Sequence, residues 1–345
     1  MNKRNTFVFI VVFLLAGVSL WVYRSKSKLS TVDEDSRDFR VKDTAAITKI
    51  FIADKAGDQA TIERTPKGWV VNQKYPCRAE AILNLLEVIR NVEVKMAVPN
   101  ALKKNVIKFM ATNALKVEIY SGDEKIKQYY VGHETDDSQS SYMLLTNLDD
   151  DKNYESPYAC FIPGFKGFLQ PRYIAKETEW RDRVVMNYLP PQVKHIQVNY
   201  AQWPDSSFSI ELMDANFFQL KDKQGKVLPF DEVKMRQYLV YFQNISYENL
   251  ISGRNKKLQD SLIRVKPFAG ISIVTQDLKT HVYEFYRKTF VGDVNPELGI
   301  KYEYDPDRLF LNFDDKHEWA LVQYFVFGKL LISPAYFKPK SAVKK

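Results

Sequence analysis

The stretch PYACFIPGFKGFLQPRYI, ending at Ile174, and the stretch EWALVQYFVFGKLLISPAYF, ending at Phe337, follow one pattern. Each runs through an apolar strand, a Gly/Lys pair and a further apolar stretch to Pro-x-Tyr, with Pro171 and Pro334 163 positions apart. A repeat of this length limits the fold more than composition does. Each copy must be a unit that buries a core of its own.

Upstream segments match in the same order. ITKIFI at 47–52 compares with VKHIQV at 193–198, both alternating as half-buried strands do. ATIER compares with FSIEL, pairing Ile62 with Ile210, and GWVVN with NFFQL, placing Trp69 opposite Phe217. Short polar turns between them predict an antiparallel meander. A helix follows in each half. Ile82, Leu85, Leu86 and Ile89 share the spacing of Met235, Tyr238, Leu239 and Phe242, one apolar stripe apiece. NALKKNVIKFMA and RNKKLQDSLIRV predict second, shorter helices, and strands then resume to the closing stretch. The offsets 146, 148, 153, 154 and 163 grow in one direction, as insertions between duplicated copies would make them. The expected fold class is α+β: two tandem copies of an antiparallel-sheet module with a packed amphipathic helix, after an N-terminal transmembrane helix. The expected boundaries are a tail at 1–5, the membrane helix at 6–23, a polar stalk at 24–42, repeat 1 at 43–175, a linker at 176–192, repeat 2 at 193–337 and a basic tail at 338–345.

With 345 residues and 45% hydrophobic side chains the chain can fill two cores. Its net charge of +8 sits at the ends. The first thirty residues hold five basic groups and no acid, and residues 338–345 hold four and none, which leaves the body 31–337 at −1. A nucleic-acid surface would carry the excess on the body, so nucleic acid is not an expected partner. Residues 6–23, TFVFIVVFLLAGVSLWVY, are uncharged and as a helix would span ~27 Å, close to a hydrocarbon core. The run is long for a signal-peptide core, and no small-x-small site follows it. An uncleaved signal anchor is expected, with Trp21 and Tyr23 at the interface. Basic groups flank both ends, and the short N-terminal tail favours export of the body to the periplasm. Cys77 and Cys160 leave a single disulfide and two thiols equally open.

No His-Glu-x-x-His, paired Cys-x-x-Cys, Gly-x-Ser-x-Gly or P-loop pattern occurs, and no catalytic, cofactor or metal residue is assigned. HETDD at 133–137 gathers an imidazole and three carboxylates, but Asp and Thr at a hairpin tip read first as turn residues. Asp149, Asp150 and Asp151 lack the alternation of a calcium loop. EWRDR at 179–183 reads as an interdomain clasp with Trp180 as its plug. Trp180, Arg181, Arg183, Tyr173 and Tyr336 are the candidate partner-binding residues, the two tyrosines by way of the Pro-x-Tyr endings.

DTAAITKIFI, GWVVN, YYVGHETDD, SSYMLL, PYACFIPGFKGFL, PRY and EWRDR together resemble domain-of-unknown-function family forty-three-forty over about residues 43–200, with SSYM standing where the family has Gly-Thr before Tyr-Met. The resemblance implies a membrane-anchored envelope protein, often encoded beside gliding-motility-type ABC transporter genes, and carries no catalytic residue over. The expected function is a non-enzymatic, inner-membrane, single-pass structural or adaptor component whose partner is an ABC-type transporter or gliding component. A periplasmic glycan-binding module and a periplasmic hydrolase with a dispersed site are the alternatives. The chain is expected to stay with membranes through a carbonate wash, and phosphatase fused after Lys345 to be active. A soluble form beginning after residue 24 would remove the anchor, and an active cytoplasmic reporter at the same place would reverse the orientation.

Overall fold

The computed structural model describes residues 34–213, 217–251, 256–292, 299, 301–313 and 318–339. The expected membrane helix at 6–23 lies outside the described residues, and among those described no helix is long and apolar enough to cross a membrane. The chain divides between Asp182 and Arg183 into two compact units. Both are α+β, built on antiparallel sheets.

The first unit contains β1 (Lys49–Ala53), β2 (Gln59–Thr65), β3 (Gly68–Val71), β4 (Tyr75–Pro76), α1 (Ala79–Asn91), β5 (Glu93–Ala97), α2 (Asn100–Asn113), β6 (Leu115–Ser121), β7 (Glu124–Glu134), β8 (Ser141–Asn147), β9 (Lys152–Asn153), β10 (Tyr158–Phe161) and α3 (Glu177–Trp180). The second contains β11 (Val184–Met186), β12 (Val193–Tyr200), β13 (Phe208–Leu212), β14 (Phe218–Asp222), β15 (Val227–Leu228), α4 (Glu232–Val240), β16 (Ile245–Ser246), β17 (Asn249–Leu250), α5 (Lys256–Ile263), β18 (Ala269–Thr275), β19 (Thr280–Thr289), β20 (Tyr304–Phe313), β21 (Glu318–Gln323) and α6 (Tyr324–Phe327).

The sheet orders are β4-β3-β2-β1-β6-β7-β8-β10-β5, with β9 on β8, and β15-β14-β13-β12-β18-β19-β20-β21-β17. They correspond strand for strand, and so do the registers. Ile50 lies between Ile62 and Ile119 as Ile196 lies between Ile210 and Ile273. Further along, Met143 pairs with Val131 and Tyr158, and Leu311 with Phe285 and Ala320. At the far edge Tyr158 meets Ala97, and Ala320 meets Leu250. The offset is 153 between Ala97 and Leu250, the same as between the two helical stripes. The steady growth of offsets does not hold. Met143 to Leu311 is 168 positions and Tyr158 to Ala320 only 162, because the β8–β10 connection carries the extra strand β9. Trp69, paired with Arg64, corresponds to Phe218, paired with Leu212, rather than to Phe217.

One face of each sheet is covered by the long apolar helix stripe. On α1 the buried positions are Ile82, Leu85, Val88 and Ile89, with Leu86 only half-buried at the margin. On α4 they are Met235, Tyr238 and Leu239, continued by Phe242 beyond the helix. Asp231 caps α4 by accepting from the Lys234 amide at 3.1 Å, which holds the stripe at a fixed rotation. The other face takes the second helix, which in the first unit is not the shorter one expected, α2 having 14 residues against 13 in α1. Met110 of α2 packs on β7 at Gly132, where a Cβ would come within 3.0 Å of Met110 Cγ and 3.2 Å of the Tyr142 carbonyl oxygen. Leu258 and Leu262 of α5 pack in the same way with Tyr286, Phe310 and Trp319.

The expected stalk is shorter than 24–42. Phe39 is 1% exposed in the first core, Ser36 bonds the Tyr158 hydroxyl at 2.8 Å and Asp38 pairs with Lys127 at 2.9 Å. Those contacts fix 34–42 as part of the first unit. The linker is likewise absorbed, with Trp180 buried in the first core and Met186 in the second. Leu85→Ala and Leu239→Ala should each cost about 2–5 kcal/mol by denaturant unfolding, and Leu83→Ala, at 66% exposure, should stay within about 0.5 kcal/mol.

Candidate functional site

The residues expected to bind a partner separate into buried and surface groups. Trp180 is 1% exposed and its Nε1–H donates to the Ile174 carbonyl at 2.8 Å. Tyr173 is 2% exposed, with its hydroxyl 3.1 Å from that of Tyr129. These two rings fill the first unit's own core and present nothing to a partner, which corrects the expectation for both. Arg181 places its Cζ 3.4 Å from the Tyr75 ring centroid and its guanidinium 4.0 Å from Glu177. Arg183 belongs to the second unit, where its carbonyl accepts from the Tyr247 amide. Tyr336 is half-buried, donating to Gln237 Oε1 at 3.3 Å, and the fully buried ring beside it is Phe337. The two Pro-x-Tyr endings therefore differ. The first buries its tyrosine, and the second buries the residue after it.

Among the described residues no group of three or more His, Cys, Asp or Glu is arranged to hold a metal ion. His195 borders a hollow of about 470 Å³ with Lys194 and Glu211, but Glu211 is drawn to Lys221 at 2.8 Å. His317 lies outside the described residues. The two thiols are unpaired. Burial pushes Cys77 up to about 12 and Cys160 well above its ordinary value, so a helix-start position does not activate Cys77.

The HETDD segment does line a site, of another kind. A groove of about 240 Å³ lies on the outer face of the first sheet. Its floor is a cross-strand row, Met96 of β5, Ala159 of β10 and Tyr142 of β8. One wall is the entry to α2, with Pro99 and Leu102, and the other is the 135–140 turn. A bulge makes the floor. Val94 pairs with Cys160 and faces the inner core, and Met96 pairs with Ala159. Lys95 is the extra residue between them. In regular alternation Met96, two residues after Val94, would point inward with it, and the bulge turns it outward. The opposite wall is set by turn chemistry. Thr135 donates its amide to the Ser140 carbonyl and its hydroxyl to Asp137 Oδ1 at 2.6 Å, and Ser138 takes φ +52°. Lys95, 2.8 Å away, together with the Thr135 hydroxyl and the Gln139 amide, holds the Asp137 carboxyl well below the usual carboxylate range.

Two polar atoms are left over. Ser140 is fully buried, lines the groove, and its Oγ makes no hydrogen bond. His133 is stacked 4.1 Å from Phe109 and 5.1 Å from Tyr142, with Nδ1 buried and unpartnered. Asp136, on the rim, has no hydrogen bond or ion pair among the described residues. The arrangement offers apolar contact, one hydroxyl and one rim carboxylate. It is equipped to bind, and Ser140 Oγ has no base in contact to make it a nucleophile. Sequence reasoning reached Asp136 and Asp137 but not Met96, Ala159 or Ser140. Their only sequence signal is small Ala159 in an otherwise bulky strand. Compared with known proteins, the chain matches no family model, no curated protein and no solved structure.

Cys77 should alkylate with iodoacetamide at pH 7.5 roughly 100-fold more slowly than free cysteine, because the thiolate is the reactive form. The rate should climb as pH rises from 9 toward 12, through the raised value. Labelling at the free-cysteine rate in folded protein would contradict the burial.

Proposed function

We propose that this chain is a non-enzymatic, membrane-anchored envelope protein that acts as an adaptor, made of two copies of one α+β module. The reading takes 6–23 as its anchor and places the body in the periplasm. The duplication is supported by the shared strand order and by cross-strand pairs that correspond from Ile50/Ile196 to Ala97/Leu250. The binding role is carried by one observation, the apolar groove with its buried, unpartnered Ser140 hydroxyl. A hydrolase would bring carboxylates together in a cleft, and a glycan platform would line it with aromatic rings. Here most of the lining is apolar, Met96, Ala97, Val98, Pro99, Leu102 and Ala159, with the single aromatic Tyr142, and the two carboxylates present, Asp136 and Asp137, are neighbours on one rim turn, Asp137 being held by Lys95. Met96, Leu102, Ile107 and Phe109 are also exposed close together in sequence, at 50, 43, 36 and 43%. That apolar concentration suits a protein contact.

The resemblance to family forty-three-forty supplies the class of partner, a polytopic protein of an ABC-type transporter or gliding machine. The test is crosslinking in native membranes followed by recovery through a C-terminal tag. A polytopic envelope protein should be joined to the chain in stoichiometric yield. Recovery of the chain alone under crosslinking that captures a control complex would reject the adaptor reading.

A further inference from the structure

Building on that reading, we infer that the groove receives an extended segment of the partner polypeptide, which pairs along β5 and places large apolar side chains beside Met96 and toward Ala159, at the groove's open end. β5 is the last strand of its sheet, bonded to β10 on one side and to no strand on the other among the described residues. An edge of this kind offers a row of backbone donors and acceptors with which another backbone can pair in place of water, and an acyl chain cannot. A strand added there would point alternate side chains to the outer face, where the groove lies. Ser140 Oγ, buried at the groove wall and without a partner, gains one if its hydroxyl turns to a polar group of the incoming chain. Lys95 is held by Asp137, which leaves Asp136 as the charge at the rim and favours a basic residue in the segment.

The second unit shows why the groove exists where it does. Its corresponding row is Asn249, Leu321 and Phe310. Leu321 stands where the first unit has Ala159, and it packs with Phe310, Trp319 and Leu262. The same position is thus filled from within in one unit and left open in the other. Ala159→Leu puts a side chain there that the matching fold already accommodates.

The experiment measures anisotropy of a fluorescein-labelled seven-residue peptide, Leu-Thr-Phe-Thr-Lys-Thr-Leu, whose Leu, Phe and Lys fall on one face of a strand, on the full chain in detergent. Saturable binding is expected, weakened about tenfold or more by Ala159→Leu and several-fold by Ser140→Ala. A peptide with Pro at its centre, or with Glu for the Lys, should bind at least about tenfold more weakly. Unchanged affinity in folded Ala159→Leu protein, equal binding of the Pro peptide, or no saturation would each overturn the inference. If Ala159→Leu does not fold, Leu102→Glu and Ser140→Ala decide, and wild-type affinity in both overturns it. Membrane crosslinking of the Ala159→Leu chain separates this from the parent reading. A partner still captured at full yield sinks the groove alone, and a partner absent from wild type sinks the adaptor.

Discussion

Each sheet depends on a row of isoleucines held side by side across its middle strands: Ile62, Ile50 and Ile119 in one unit, Ile210, Ile196 and Ile273 in the other. All six are fully buried. Because side chains alternate with a period of two, a slip of one residue in β1 or β12 would turn its row into solvent. The helix stripe then has one place to lie. Full burial of a residue such as Leu85 or Met235 contributes about 1.5–3 kcal/mol, so the four-position stripe outweighs the weak intrinsic preference of a thirteen-residue helix.

The inner face is built with the same parts in both units, and the outer face is not. α2 approaches β7 because Gly132 has no side chain, and α5 is held by a Trp319–Tyr286 ring pair with centroids 5.0 Å apart. The closing turns diverge in a similar way. Tyr173 buries its ring and settles its hydroxyl against Tyr129. In the second unit Phe337 takes the buried place, edge-on to Tyr238 at 5.2 Å, and the Tyr238 hydroxyl donates to the Leu330 carbonyl. Both arrangements fill the volume, and each satisfies its buried phenols by a separate route.

Much of this was legible in the residues. The alternation of ITKIFI and VKHIQV gave the central strands, and the 3, 1, 3 spacing gave both stripes. Leu86 went to the margin because the face turned to the sheet runs through Ile82, Leu85, Val88 and Ile89 and leaves it at the side. β5 was missed because EVKMA carries a lysine and a glutamate, which composition reads as a solvated link. Its strand character comes from pairing with β10, a contact made across more than sixty residues. Phe39 was missed for the opposite reason, as one apolar residue in a charged stretch has no periodicity to announce it. The groove was the least legible feature, since it depends on a one-residue bulge and on which face Ala159 takes. Neither is written in local propensity.

The energetics of the groove bear on why it persists. A buried hydroxyl without a partner costs about 1–3 kcal/mol. The first unit carries one at Ser140 and a buried unpartnered imidazole nitrogen at His133, and the second unit carries a comparable buried nitrogen at Arg287 Nε. Nothing in the packing requires that cost. The second unit covers the matching sheet face with Leu321, Phe310 and Leu262. The bulge at Lys95, the clasped Asp137 and the small Ala159 all act in the same direction. Together they turn Met96 outward, hold the 135–140 wall off the sheet and leave the space between unfilled. Folding alone would favour closing this space, as the second unit does. Departures from local packing logic concentrate at places a protein uses. On the proposed duplication, the outer faces have diverged. One unit seals its face from within, and on the proposed adaptor reading the groove left open in the other is where a partner is received.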